Sequence, residues 1–271
     1  MQPFSLLIKP ACADCNLQCE YCFYLGKCRL YPDAARHRMT GPVLEQMIRT
    51  YMSTAQPTYS FGWQGGEPTL MGVEFFRKAT DLQKQFGRPG STVANGLQTN
   101  ATLIDDELAA HLGEYKFLLG CSLDGPAEIH DRYRRTAAGQ PSHADVMRGI
   151  GILRKHGVEF NVLVLVSQAN VHRAGEVYRY LRDEGFLWQQ YIPCVEFDDG
   201  GRPLPFAISA GEWGRFESEL FDEWLAKDAF TVSIRHFDSV LAQLVDGATN
   251  VCHMGKNCCQ YFGVEHSGDI Y

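Results

Sequence analysis

Segments with strand spacing alternate with segments of helix spacing along most of this chain, and that alternation limits its fold more than any other feature. Short apolar runs at Phe4–Ile8, Tyr59–Gln64, Thr92–Thr99, Phe117–Leu123, Val158–Ser167 and Leu187–Pro193 read as strands. Between them, Gly41–Ala55 carries Val43, Leu44, Met47, Ile48 and Tyr51 at helical spacing. Val73–Phe86, Asp105–Leu112, Ala144–His156 and Ala174–Glu184 also read as helices. Strands that each feed a helix build right-handed βαβ units around a parallel sheet. The expected architecture is α/β, an open or partial (β/α)6 barrel with its functional groups at the carboxyl ends of the strands.

Those ends carry polar groups and glycines: a cysteine-rich loop after the first strand, then Gln64-Gly65-Gly66-Glu67, Gln98-Thr99-Asn100, Ser122-Leu123-Asp124 and Pro193-Cys194-Val195. Gathered at one end of a sheet, they would line one pocket. Turns are polar in any protein, so no single member decides the matter. After Pro193 the rhythm breaks at Asp198-Asp199-Gly200-Gly201. Two further helices are expected at Ala210–Leu225 and Phe237–Val245, with Trp213, Phe216, Leu220, Phe221 and Trp224 as a packing stripe. The chain divides into residues 1–208 (barrel), 209–250 (helical connection) and 251–271, where Ser267-Gly268-Asp269 marks the turn of a β-hairpin.

The 271 residues are enough for one large α/β domain and the start of another. A net charge of −7 argues against nucleic acid as partner, since phosphate binding needs a basic face. No apolar stretch is long enough to span a bilayer, and the first residues lack the basic leader of an export signal. The expectation is a cytoplasmic protein with no membrane contact. In that setting cysteines clustered at both ends read as metal sites rather than disulfides. Cys121 and Cys194, alone between the clusters, read as small buried hydrophobes.

Cys15, Cys19 and Cys22, in the run Cys15-Asn-Leu-Gln-Cys19-Glu-Tyr-Cys22-Phe-Tyr24, are three thiols close enough to share one metal centre. Closed zinc sites and four-iron clusters use four protein ligands. Three leave one metal position open. A zinc knuckle or a set of free buried thiols is the ordinary alternative. The spacing resembles that of the radical S-adenosylmethionine (radical SAM) enzymes. The resemblance implies a [4Fe–4S] cluster on Cys15, Cys19 and Cys22 whose fourth iron is chelated by S-adenosylmethionine. Cys12 and Cys28 flank the triplet and are left out, because a fourth thiolate would close that iron.

Gly65-Gly66-Glu67-Pro68 resembles the motif with which these enzymes hold the methionine amino group. Ser122 and Asp124 could reach ribose hydroxyls or the methionine carboxylate. Arg134, in Asp131-Arg-Tyr-Arg134-Arg, suits a carboxylate clamp, although an arginine in a basic run is equally the mark of a solvated face. Tyr21 could touch the adenine and Tyr24 could face a substrate; for both, packing around the cluster is the alternative.

Over its whole length the chain resembles the anaerobic sulfatase-maturating enzymes, a radical SAM branch with a C-terminal SPASM domain. The resemblance rests on Ser5-Leu-Leu-Ile-Lys-Pro10, Trp63-Gln-Gly-Gly-Glu-Pro-Thr-Leu70, Leu97-Gln-Thr-Asn100, Ser122-Leu-Asp-Gly-Pro126, Ile129-His130, Ser233-Ile-Arg-His-Phe-Asp238 and the Cys252/Cys258 hairpin, in that order. It implies oxidation of a cysteine or serine of a sulfatase polypeptide to Cα-formylglycine, with an electron donor such as flavodoxin or ferredoxin. It carries S-adenosylmethionine contacts onto Tyr21, Gly66, Ser122, Arg134 and Val195, and substrate contacts onto Tyr24 and Gln64. Cys252 and Cys258 match the first two ligands of an auxiliary [4Fe–4S] cluster. The remaining ligands and the proton acceptor are expected beyond Tyr271, so no catalytic proton acceptor is assigned within the chain. Two other readings use the same features: a different SPASM peptide maturase that makes a thioether or other crosslink, and a non-catalytic iron–sulfur or zinc protein.

Overall fold

In the computed structural model, which describes residues 3–32, 36–248, 251, 254–255 and 261–271, the expected alternation is realised as one parallel sheet. The strands are β1 (Ser5–Ile8), β2 (Thr58–Trp63), β3 (Thr92–Thr99), β4 (Leu118–Ser122), β5 (Glu159–Val166), β6 (Trp188–Pro193), β7 (Ser233–Ile234) and β8 (Tyr261–Val264). The helices are α1 (Gly41–Ser53), α2 (Val73–Phe86), α3 (Asp106–Glu114), α4 (Ala127–Tyr133), α5 (His143–Lys155), α6 (Ala174–Asp183), α7 (Ala210–Lys227) and α8 (Arg235–Asp246). Every anticipated strand and helix forms with ends within two residues of those read from the sequence. Strand order is β7-β6-β5-β4-β3-β2-β1-β8, all parallel, so the strand ends that carry the polar groups point the same way.

Side chains alternate across each strand, and the two sets have different tasks. Ile8, Tyr59, Phe61, Trp63, Leu97, Leu119, Cys121, Val162, Val164 and Val166 are buried in the main apolar core. The other set, including Gln98, Ser122, Leu163 and Leu165, lines the cavity described below. Crowding there explains Gly120: a Cβ at this position would stand 2.2 Å from Gln98 Oε1 and 2.8 Å from Leu163 Cδ1.

Two of these elements were not anticipated. β7 has only two residues, and α4 is a seven-residue helix rich in charged side chains, so neither shows a readable period. β8 is the first strand of the expected hairpin, whose backbone closes through Gly263 and Tyr271, each N–H donating to the other's carbonyl at 3.0 Å. It also adds to the sheet edge beside β1, with Ser5 opposite Tyr261 and Ile8 opposite Val264.

On α7, Phe216, Leu220 and Trp224 are buried, and Ser209 with Glu212 forms a capping box at its start. Glu217 on the same helix is an anomaly: both carboxylate oxygens are buried and, among the described residues, make no hydrogen bond. Burial pushes its carboxyl up to about 7. An acid whose folded pKa exceeds its unfolded value costs nothing below the unfolded pKa, and costs increasingly as pH rises towards the folded one. Glu217→Met should therefore stabilise the fold, by more at pH 8 than at pH 5. The difference is on the order of 1–2 kcal/mol after discounting for partial exposure. Thermal melts of the two proteins at the two pH values check it.

Candidate active site

The loop after β1 is fixed to the end of β2 by backbone bonds. Gln64 N–H donates to Ile8 O, Gly66 N–H to Cys12 O and Glu67 N–H to Asp14 O, each at 2.8 Å. The approach is close enough that only glycine fits: a Cβ on Gly66 would lie 2.0 Å from Asp14 O and 2.6 Å from Ala13 C. The double glycine thus brings two chain segments together, and the next residues place Cys15, Cys19 and Cys22 on one cavity wall.

Glu67 anchors this junction from beneath. Its buried Oε1 accepts from Thr69 N–H (3.0 Å), Thr69 Oγ1 (2.7 Å) and Thr99 Oγ1 (2.8 Å), while Oε2 accepts from Asn100 N–H (2.7 Å). Burial raises its pKa, against the pull of these donors. Asn100 extends the network to the cysteine loop. Its Nδ2 donates to Asn16 Oδ1 at 2.9 Å and lies 3.6 Å from Cys15 Sγ, while its Oδ1 accepts from Thr102. Leu17 N–H also donates to Cys15 Sγ, at 3.3 Å.

Beside Cys19, a buried ion pair supports the cavity wall. Arg134 Nε donates to Asp124 Oδ2 at 2.9 Å, with side chains only 11% and 4% exposed. The Tyr21 hydroxyl donates to the same carboxylate oxygen, and Leu165 N–H donates to Oδ1 at 3.0 Å. Burial works against the Arg134 charge, but Asp124 outweighs it and holds the guanidinium well above its usual range. The solvated-face reading of Arg134 is therefore excluded. Asp124 does not line the cavity: its oxygens are committed to Tyr21, Arg134 and Leu165.

His130 fixes this corner, a role that sequence reasoning missed. Nδ1 accepts from Asp124 N–H at 3.3 Å, and Nε2 lies 3.1 Å from Ser142 Oγ, which itself donates to Arg134 O at 2.8 Å. Accepting at one nitrogen and donating at the other defines a neutral imidazole. Burial agrees, pushing its pKa down to about 3.

The cavity of about 410 Å³ collects Cys15, Cys19, Tyr21, Cys22, Tyr24, Gln64, Gly66, Ser122, Arg134 and Val195 in its lining. Of the site residues expected from the sequence, Asp124 is absent from this lining, its carboxylate being spent on Tyr21, Arg134 and Leu165, and Cys252 and Cys258 lie outside the described residues. Gln98 Nε2 donates to Ser122 Oγ at 3.2 Å, so Ser122 is held from the neighbouring strand. Cys194 also borders the cavity, while Cys121 is fully buried in the core.

The donor set fits an iron–sulfur cluster with an open iron. Three thiols converge on a cavity with room for a further ligand, and among the described lining residues there is no fourth cysteine beside them other than Cys194 on the β6 side. Burial and then the Glu67 charge push the Cys15 thiol up to about 12, and burial raises Cys19. Thiolates here need a bound cation to compensate them, as metal ligation does when it displaces the protons.

Comparison with known proteins agrees with this geometry. The Radical SAM superfamily profile matches residues 11–181. The serine-type anaerobic sulfatase-maturating enzyme of Bacteroides thetaiotaomicron is 37% identical over 286 residues, covering 100% of this chain and 69% of that protein. The cysteine-type enzyme of Clostridium perfringens is 37% identical over 275 residues, covering 100% of this chain and 74% of that protein. A solved structure of native anSMEcpe with bound AdoMet and Cp18Cys peptide superposes with a TM-score of 0.91 at 37% identity, over 100% of this chain and 74% of that one. Streptococcus suis SuiB, at 15% identity and a TM-score of 0.67, shares the fold. The chain belongs to the anaerobic sulfatase-maturating enzymes of the radical SAM superfamily.

Proposed function

We propose that this chain oxidises a cysteine or serine of a sulfatase polypeptide to Cα-formylglycine, in the cytoplasm, with electrons from a donor such as flavodoxin or ferredoxin. The observation that carries this reading is the convergence of the three cysteines with Tyr21, Gly66, Ser122, Arg134 and Val195 on one cavity. Cys15, Cys19 and Cys22 would hold a [4Fe–4S] cluster. With S-adenosylmethionine bound, such a cluster supplies a 5′-deoxyadenosyl radical able to take a hydrogen atom from a substrate carbon. An auxiliary cluster begun by Cys252 and Cys258 belongs to the same proposal.

The protein's own part is orientation. At Gly66, whose N–H is committed to Cys12 O, the carbonyl oxygen would accept from the methionine amino group. Arg134, held by Asp124, presents its remaining donors to the methionine carboxylate, and Ser122 and Val195 border the nucleoside. Tyr24 and Gln64 line the same cavity and would face the peptide. Tyr24 remains a neutral phenol, since burial and then the Glu265 charge push it up to about 12, so it can donate a hydrogen bond to a bound peptide. Among the described residues no helix is long and apolar enough to cross a membrane.

The test is mass spectrometry of sulfatase-motif peptides, one with cysteine and one with serine, incubated anaerobically with the iron-loaded protein, S-adenosylmethionine and reductant. Formation of the aldehyde is expected: loss of two hydrogens from serine, or replacement of the thiol sulfur and two hydrogens of cysteine by oxygen. A new intramolecular crosslink with no aldehyde would overturn the reading in favour of a different maturase.

A further inference from the structure

The loop after β1 carries a further potential ligand, Cys12, which is buried and faces the hairpin that follows β8. Parallel pairing of β1 with β8 continues past the strands, with Lys9 N–H donating to Val264 O at 2.9 Å, and this sets Cys12 beside Glu265 and His266. One ligand atom from each of the three side chains lies within 4.8 Å of the other two. Among the described residues, two buried polar atoms of the group lack partners. Glu265 is 8% exposed in its side chain; Lys9 Nζ takes Oε1 at 2.5 Å, and the buried Oε2 makes no hydrogen bond. His266 Nδ1 is likewise buried without a partner. Buried polar groups left unsatisfied are costly, so their concentration at one point calls for a ligand.

We propose that Cys12, Glu265 and His266 bind a zinc-type divalent cation, which clips the loop carrying Cys15 to the hairpin after β8. Sulfur, imidazole and a single available carboxylate oxygen suit zinc; calcium and magnesium take oxygen ligands. His37, whose ring lies 5.0 Å edge-on to that of His266, is not a ligand. Its Nδ1 is bound to Asp14 at 2.9 Å and its Nε2 to Tyr31 O at 2.8 Å, so it orients the ligand ring by packing. His266 itself is kept neutral and ready to ligate, as burial and then His37 lower its pKa. A cavity of about 280 Å³ adjoins Cys12 and Glu265, with Tyr24 and Tyr31 on its walls, and gives a water or small ligand access to a fourth position.

The test fills the iron sites first. Protein reconstituted anaerobically with iron and sulfide is equilibrated with zinc, separated from excess by gel filtration and assayed for both metals. The wild-type protein should retain about one more zinc per chain than either His266→Ala or Cys12→Ser, with iron unchanged by His266→Ala. Equal zinc in all three proteins would overturn the proposal. Should Cys12→Ser also lose iron through a shift of its loop, His266→Ala decides alone, with its circular dichroism as the check on folding. Zinc should also raise the melting temperature of the wild-type protein and leave that of His266→Ala unmoved; equal shifts in both would again contradict the site.

Discussion

Gly66→Ala should cost this protein its iron while leaving most of its fold intact. The added Cβ would stand 2.0 Å from Asp14 O and 2.6 Å from Ala13 O, both backbone atoms that cannot swing aside. The loop must then move away, and Cys15 follows Asp14 directly. Overpacking of this kind costs about 1–3 kcal/mol. The functional loss is larger, because a displacement of about 1 Å from productive geometry costs about 100-fold in rate. Iron content after reconstitution and 5′-deoxyadenosine yield measure the effect. Gly72→Ala is the control: its φ of 73 strains any side chain, but among the described residues nothing lies within 4 Å of the added Cβ. It should lose stability of about 1–3 kcal/mol, the cost of a side chain at φ 73, ψ 168, and keep its iron.

The second large effect is expected at Asp124. In Asp124→Asn an amide nitrogen would face the Arg134 guanidinium and the Tyr21 hydroxyl, or else lose the Leu165 N–H. Either way a buried arginine is left without its counter-charge, at a cost of about 3–5 kcal/mol. That is a large part of the ~5–15 kcal/mol that holds a domain together. Arg134→Met in the same chain should recover much of the stability, since an apolar side chain of similar length removes the orphaned charge. It should not recover S-adenosylmethionine binding if Arg134 clamps the carboxylate. Denaturant melts and equilibrium binding of S-adenosylmethionine separate the two outcomes.

Much of this site was legible because sequence position maps simply onto place in a parallel sheet. Residues at the ends of successive strands must share one rim, so Cys15, Gln64, Ser122 and Val195 could be put together without coordinates. The supporting contacts were not legible. Asp124 reads as a turn residue with a free carboxylate, yet three donors consume it, one of them 103 residues away. Arg134 sits in a basic run that looks solvated, and only α4, too short to show a period, turns it inward. In the sequence the glycine pair reads as a surface for a ligand. Its tightest contact is with the cysteine loop, a long-range approach that no local pattern reveals. β8 was legible as half of a hairpin, but not as a partner of β1, because edge pairing leaves no periodic mark.

The central claim is that the cavity at Cys15, Cys19 and Cys22 brings a radical precursor and a peptide Cβ together. The most direct test uses a sulfatase-motif peptide deuterated at the Cβ of its target residue, with the iron-loaded protein, S-adenosylmethionine and reductant under anaerobic conditions. Deuterium should appear in the 5′-deoxyadenosine, matched by aldehyde in the peptide. Cleavage of S-adenosylmethionine with no deuterium in the nucleoside would contradict the account.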